Sequence, residues 1–150
     1  MSLIIGLGSP HGDDQLGWVA IDRLRPKVPN GVVAHRVRHG VELLEHLEGH
    51  ERAVVIDAAA PTGRPGAIRS FVWPCPELAL CASVTTHGLG LVEALQLAGA
   101  LGRLPSSVII HTIEARNLAP LGSLSADLAT QVDVLVESIL ADLNVSGLRH

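Results

Sequence analysis

Two acidic segments and one histidine are the residues of this sequence best suited to chemistry. Asp13 and Asp14 form an acid pair inside the glycine-rich segment 6–17, Asp57 follows four consecutive apolar residues, and His87 lies between a threonine and a glycine. Carboxylate and imidazole groups bind divalent metal ions and transfer protons in hydrolysis. Two carboxylates and one imidazole fill only part of a coordination shell, so such a site suits a metal that a partner also holds.

Each of these residues also has a purely structural interpretation. A carboxylate at a helix start accepts hydrogen bonds from unpaired amides and faces the positive end of the helix, and we expect Asp13 to be such a cap. One cap is enough for one helix end, so Asp14 is the acid that is free to face a crevice. Asp57 could bind turn amides and His87 could be a core histidine, so neither indicates function when taken alone.

The elements that must position these residues can be read from apolar runs and helical periodicity. Strands are predicted at residues 3–7, 32–38, 53–56 with Asp57 at the end, 67–73 and 108–113. Helices are predicted at 17–25, 41–47 and 89–101, and a last helix follows Ser125 as its N-cap. The apolar face of that last helix is formed by Leu128, Val132, Leu135, Ile139 and Leu143.

Alternating strands and helices indicate an α/β fold, a three-layer α/β/α sandwich with an about five-stranded, mostly parallel sheet. The strand at 67–73 follows its predecessor too closely for a parallel return, so we expect it to pair antiparallel with that predecessor. Ligands of such sheets bind beyond the carboxyl ends of the parallel strands. Asp14, Asp57 and His87 should therefore converge on one rim.

The composition narrows the class of protein. The 150 residues fit one domain, 1–150, that buries roughly 70% of its unfolded surface. The hydrophobic fraction is 47% with two Trp, one Phe and no Tyr, so the core must consist of aliphatic side chains, as in a helix-flanked parallel sheet. The net charge of −4 disfavours nucleic acid as the main partner.

Location and redox state also follow from the sequence. The N-terminal residues lack the features of a secretion signal, and no apolar run reaches membrane-spanning length, so we expect a cytoplasmic protein. Cys75 and Cys81 stand among prolines without the spacing of a zinc site or a disulfide framework, and we expect reduced thiols.

Taken in order, these segments resemble the nickel-iron hydrogenase maturation endopeptidases over nearly the whole chain. That family has a glycine-rich strand and turn, an acid pair with a following glycine, a strand ending in Asp-Ala, a Pro-Gly turn and a Ser/Thr-His pattern before a Leu-rich helix. The matching residues are Gly6, Gly8, Ser9, Asp13, Asp14, Gly17, Asp57, Ala58, Pro65, Gly66, Thr86 and His87, followed by Ile113, Glu114, Leu124 and Ser125. The chain departs from the pattern at Ser9, where the family has Asn, and at Gln15, where Gly is common.

The resemblance implies that Asp14, Asp57 and His87 contact a metal and carry catalysis, while Gly6, Gly8, Asp13 and Gly17 shape the turn. It also implies a reaction: removal of a short C-terminal extension from a hydrogenase large-subunit precursor after nickel insertion. The nickel would arrive with that substrate, and no tightly bound metal of the protein's own is expected. The metal could polarise the carbonyl or activate water with a carboxylate as general base, or the carboxylates could act alone, as in aspartic-type peptidases.

Two other functions fit part of the sequence. The segment Gly6-Leu-Gly-Ser-Pro10 is similar to the first turn of peptidyl-tRNA hydrolases, but their Arg-His-Asn stretch and basic groove are missing. A non-catalytic module that checks nickel loading is the other alternative. The remaining histidines suggest no site: Gly49 should end the helix between His46 and His50, and His35 and His39 should be exposed to solvent.

Overall fold

The structure, a computed structural model, describes residues 2–77, 90–116 and 122–148, with side chains described as far as residue 144. Strands are β1 Ser2–Leu7, β2 Val32–Val37, β3 Arg52–Ala59, β4 Ile68–Val72 and β5 Ser107–Glu114. Helices are α1 Leu16–Leu24, α2 Gly40–Leu47, α3 Leu91–Ala100 and α4 Ala126–Leu148, with a 3-10 helix at Gly12–Gln15. None of the helices in these ranges combines the length and apolarity needed to cross a bilayer.

The five strands form one sheet in the order β2-β1-β3-β5-β4. All neighbours are parallel except β4, which pairs antiparallel with β5. The predicted α/β sandwich with one antiparallel strand is therefore confirmed. The predicted partner of that strand is wrong, because β5 lies between β3 and β4. The nearly continuous burial of β5 suits a central strand, whereas Arg69 and Ser70 of β4 are exposed at the sheet edge.

Alternating side chains of the sheet enter two apolar layers. Leu3 and Ile5 point to the layer covered by α2 and α3, and Ile4 and Ile56 point to the layer covered by α1 and α4. The predicted face of α4 is buried along its length, with each of its five apolar residues at most 6% exposed. Burial of this face stabilises the domain, since truncating one such leucine costs about 2–5 kcal/mol.

Two features near the site differ from the predictions. The acid pair lies outside α1, in agreement with the predicted start of that helix, but it belongs to a short 3-10 helix that was not predicted. Asp57 does not end its strand, because β3 continues to Ala59. The reason is its neighbour: β5 pairs with β3 as far as Ala59 opposite Glu114, and this ladder keeps the residues after Asp57 extended.

Candidate functional site

The turn that follows β1 is built on close contact between backbones. A Cβ atom on Gly6 would lie 2.2 Å from the Gly17 carbonyl oxygen, and one on Gly17 would lie 2.4 Å from the Leu7 carbonyl oxygen. A Cβ atom on Gly8 would lie 2.6 Å from the Asp14 carbonyl oxygen. Only glycine fits at these three positions, which bring α1 and the 3-10 helix directly onto the carboxyl end of β1.

The end of β2 supports the same turn from the side. The carbonyl of Val37 accepts hydrogen bonds from the Gly8 N–H at 3.1 Å and from the Trp18 indole N–H at 2.9 Å. The Arg36 guanidinium lies 4.3 Å above the Trp18 ring, a cation–π contact that covers the indole. These contacts join the turn and the start of α1 to the end of β2.

Asp13 is fully buried and ties together three segments that are distant in sequence. Its carboxylate accepts hydrogen bonds from the Arg116 N–H at 2.8 Å, the Ser125 N–H at 2.9 Å and the Ser125 hydroxyl at 3.1 Å. The Ser125 carbonyl accepts the first helical bond of α4, from Ala129, so Ser125 occupies the N-cap position as predicted. Asp13 therefore binds the amide at the start of α4, whereas the sequence suggested that it caps the helix that follows it in the chain.

Asp14 has different surroundings from its neighbour. Its Oδ1 atom is buried and has no hydrogen-bond partner in the described ranges. Burial raises the pKa of the Asp14 carboxyl above its ordinary value, and a hydrogen bond from the Ser9 side chain and the charge of His11 offset part of this rise. A desolvated carboxylate oxygen with unused acceptor capacity is suited to take a proton or to contact a cation.

Asp57 lies on the neighbouring strand, 1% exposed, and its Oδ1 accepts a hydrogen bond from the Ala58 N–H at 2.8 Å. It is two residues after Val55, so its side chain points to the layer of α2 and α3. The 3-10 helix that carries Asp14 contacts β3. The segments of Asp14 and Asp57 thus meet at the rim where the parallel strands end.

His87, the third predicted member of the site, lies outside the described residues, and so does Cys81. Within the described ranges no three His, Cys, Asp or Glu side chains are grouped as metal ligands. Cys75 is a free thiol.

The loop after β3 is organised by a residue whose role the sequence did not reveal. Glu114 is 4% exposed, and its carboxylate accepts hydrogen bonds from the Arg64 N–H at 2.5 Å and from the Thr62 hydroxyl. The Thr62 hydrogen bond is the main cause that lowers the pKa of Glu114, and burial opposes it. These two hydrogen bonds hold the loop that leaves the rim after Asp57. The feature of the sequence that could have indicated this role is the position of Glu114, a carboxylate at the end of an apolar strand.

The remaining histidines correct one prediction. His35 and His39 are half-buried and not exposed, and the Nδ1 atom of His39 is buried without a described partner. The ring of His35 stacks on that of His46 with the ring centroids 4.4 Å apart. Burial, followed by the charges of His46, Arg25 and His50, lowers the pKa of His35. The two histidines are half-buried because α2 folds back against β2.

Comparison with known structures identifies this arrangement of turn, sheet and helices. The hydrogenase maturating endopeptidase HybD from E. coli is similar with a TM-score of 0.84 and 21% identity, covering 97% of this chain and 93% of that chain. The NiFe hydrogenase maturation protease HybD from Thermococcus kodakarensis has a TM-score of 0.75 and 27% identity, covering 92% and 95%. The fold of this chain is therefore the one found in the hydrogenase-maturating endopeptidases.

The sequence assigns the chain to a family directly. Residues 38–142 match the family model described as hydrogenase maturation protease, and no curated protein gives a significant match. The match covers more than half of the chain, which therefore belongs to the hydrogenase maturation protease family and is a peptidase. The matched range includes Asp57 and His87, whereas the turn with Asp14 precedes it.

Proposed function

We propose that this protein is the cytoplasmic endopeptidase that removes the C-terminal extension from the large-subunit precursor of a nickel-iron hydrogenase after nickel insertion. The observation that carries the proposal is Asp14, which presents a buried, unpartnered carboxylate oxygen at the rim shared with Asp57. Membership of the maturation protease family supports the choice of substrate.

The nickel belongs to the substrate in this proposal. Asp14, Asp57 and His87 would contact it when the precursor docks, and two carboxylates with one imidazole leave coordination positions for the ligands that the precursor already supplies. Asp14 fits such a contact, because its unpartnered oxygen is a hard anionic donor. The bound ion would supply Lewis-acid polarisation of the carbonyl that is attacked.

The residues of the chain account for the proton transfers of hydrolysis. Asp14 takes a proton from water as the water oxygen bonds to the peptide carbonyl carbon, and it returns the proton to the amide nitrogen as the carbon–nitrogen bond breaks. A raised pKa suits this role, because a general base works best when its pKa approaches the working pH. Asp57, held by the Ala58 amide, keeps a second carboxylate beside the reacting group. The same steps serve an aspartic-type mechanism in which the carboxylates act alone.

The two alternative functions are separated by different assays, RNA binding for a peptidyl-tRNA hydrolase and precursor cleavage for a docking module. Peptidyl-tRNA hydrolysis is disfavoured by the family assignment, and a docking module would bind the precursor without shortening it. Mass spectrometry of a nickel-loaded precursor, before and after incubation with the protein, should show loss of the C-terminal extension. Asp14→Asn should abolish the loss, and Asp133→Asn, a matched change on the exposed face of α4, should not. A precursor of unchanged mass would contradict the proposal.

A further inference from the structure

The hydroxyl of Thr112, in β5, is buried and makes no hydrogen bond with the described part of the chain. The residue is 5% exposed, and its Oγ1 atom is buried with no hydrogen-bond partner among the described residues. An unsatisfied buried hydroxyl lowers stability, and valine would fill nearly the same volume without that loss. Such a group in a folded protein calls for an explanation, and an ordered water or a ligand is one that supplies the missing partner.

The position of this hydroxyl relates it to the candidate site. Thr112 is the register partner of Asp57 in the parallel β3–β5 ladder, and register partners of adjacent strands point to the same face of the sheet. Two residues earlier, the partners Val55 and Ile110 both enter the layer of α2 and α3. The hydroxyl and the Asp57 carboxylate therefore stand side by side near the rim, without a direct hydrogen bond.

We propose that Thr112 is a positioning residue that holds the hydrolytic water beside Asp57, an inference that rests on the proposed peptidase function. The Thr112 hydroxyl donates a hydrogen bond to the water, and the water donates its two hydrogens to the carboxylates of Asp57 and Asp14. The second lone pair of the water oxygen is then free to attack the peptide carbonyl. The water then supplies the partner that the Thr112 hydroxyl lacks among the described residues.

The chemistry of the side chain suits this role. A buried water is retained where two to four polar groups surround it, and here two carboxylates and one hydroxyl would do so. Threonine is β-branched, so its methyl group, packed in the interior, restricts rotation about χ1 and fixes the direction of the hydroxyl. A water held in this way remains in one position relative to the two carboxylates.

The test uses two substitutions in the full-length chain with nickel-loaded precursor as substrate. Thr112→Val removes only the hydroxyl, and kcat should fall by about tenfold to a hundredfold with KM nearly unchanged, since small errors in positioning reduce rates to this extent. Its melting temperature should equal or exceed that of the parent. Thr112→Ser keeps the hydroxyl but loses the methyl group that fixes its direction, so kcat should lie between those of the Val variant and the parent. A Val variant with the parent kcat would overturn the inference while leaving the proposed function intact.

A second measurement does not depend on cleavage. A high-resolution crystal structure of the unmodified chain should show an ordered water within hydrogen-bond distance of both Thr112 Oγ1 and the Asp57 carboxylate, and the Val variant should lack it. A Thr112 hydroxyl bonded to another protein group, with no water there, would overturn the inference. If the parent failed to cleave the precursor although this water was present, only the proposed function would be wrong.

Discussion

Asp13 and Asp14 are consecutive in the chain, but their carboxylates have opposite surroundings. The Asp13 carboxylate accepts hydrogen bonds from Arg116 and Ser125, whereas Asp14 keeps a buried oxygen without a described partner. The first acid therefore holds three segments of the fold together, and the second keeps an unused acceptor, which the proposed function assigns to the substrate. Stability and catalysis can be separated by changing the two residues one at a time.

Asp14→Asn should abolish cleavage without destabilising the protein. The folded state raises the pKa of Asp14 above its unfolded value, so the protonated form stabilises the fold at low pH and that contribution is lost as pH rises through the folded pKa. A neutral amide avoids this loss, and the melting temperature at neutral pH should equal or exceed that of the parent. Thermal unfolding beside the precursor assay measures both effects. A variant that melts early but still cleaves would assign Asp14 a structural role.

Asp13→Ala should destabilise the fold by at least about 2 kcal/mol, because it removes three hydrogen bonds of a fully buried carboxylate and leaves the amides of Arg116 and Ser125 without their acceptor. Urea unfolding followed by circular dichroism measures the change. Asp133→Ala removes an exposed carboxylate that pairs with Arg23 and should have a much smaller effect. Equal losses from the two changes would show that the Asp13 contacts contribute little.

Ser9→Ala should move the acid limb of the pH–rate profile to higher pH. The hydrogen bond from Ser9 favours the ionised form of Asp14 and lowers its pKa, so removing the bond raises that pKa further. A general base must be ionised. As the pH is lowered, kcat/KM of the variant should therefore begin to fall at a higher pH than kcat/KM of the parent. An acid limb that stays in place would mean that another group controls it.

Gly17→Ala should destabilise the protein by about 1–3 kcal/mol, although alanine is the better helix former. The added methyl group would lie 2.4 Å from the Leu7 carbonyl oxygen and 2.9 Å from that of Ile56, and neither backbone can move without opening the turn. Gly99→Ala is the matched control, since its methyl group meets only the end of the Leu104 side chain at 3.2 Å. Similar melting temperatures for both variants would contradict the close-contact interpretation.

Local patterns were enough to predict most elements of the fold. The apolar face of α4 was predicted residue by residue, because helical periodicity depends only on neighbouring residues. The partner of β4 was not predicted, because it depends on which of two distant strands takes the central position. The extension of β3 past Asp57 was missed for the same reason, since the ladder with β5 sets its length.

The site was predictable in its residue types but not in its connections. The acids of the first turn and the aspartate of β3 were identified as chemical candidates. The convergence of Asp14, Asp57 and His87 stays a prediction, because His87 lies outside the described residues. The bonds from Asp13 to Arg116 and Ser125 span more than a hundred residues, and no local pattern indicates them. The contact of Glu114 with Thr62 is similarly non-local.

The comparison that tests the central claim most directly is the cleavage rate of nickel-loaded precursor against nickel-free precursor, with the protease dialysed against a chelator beforehand. If the metal stays with the substrate and the protease contacts it only on docking, the loaded precursor should be cleaved and the empty form ignored, because selectivity requires differential contact with the two states. The dialysed protein should contain little metal and keep its activity. Equal cleavage of the empty precursor would contradict the account, as would a stoichiometric metal that the protease cannot work without.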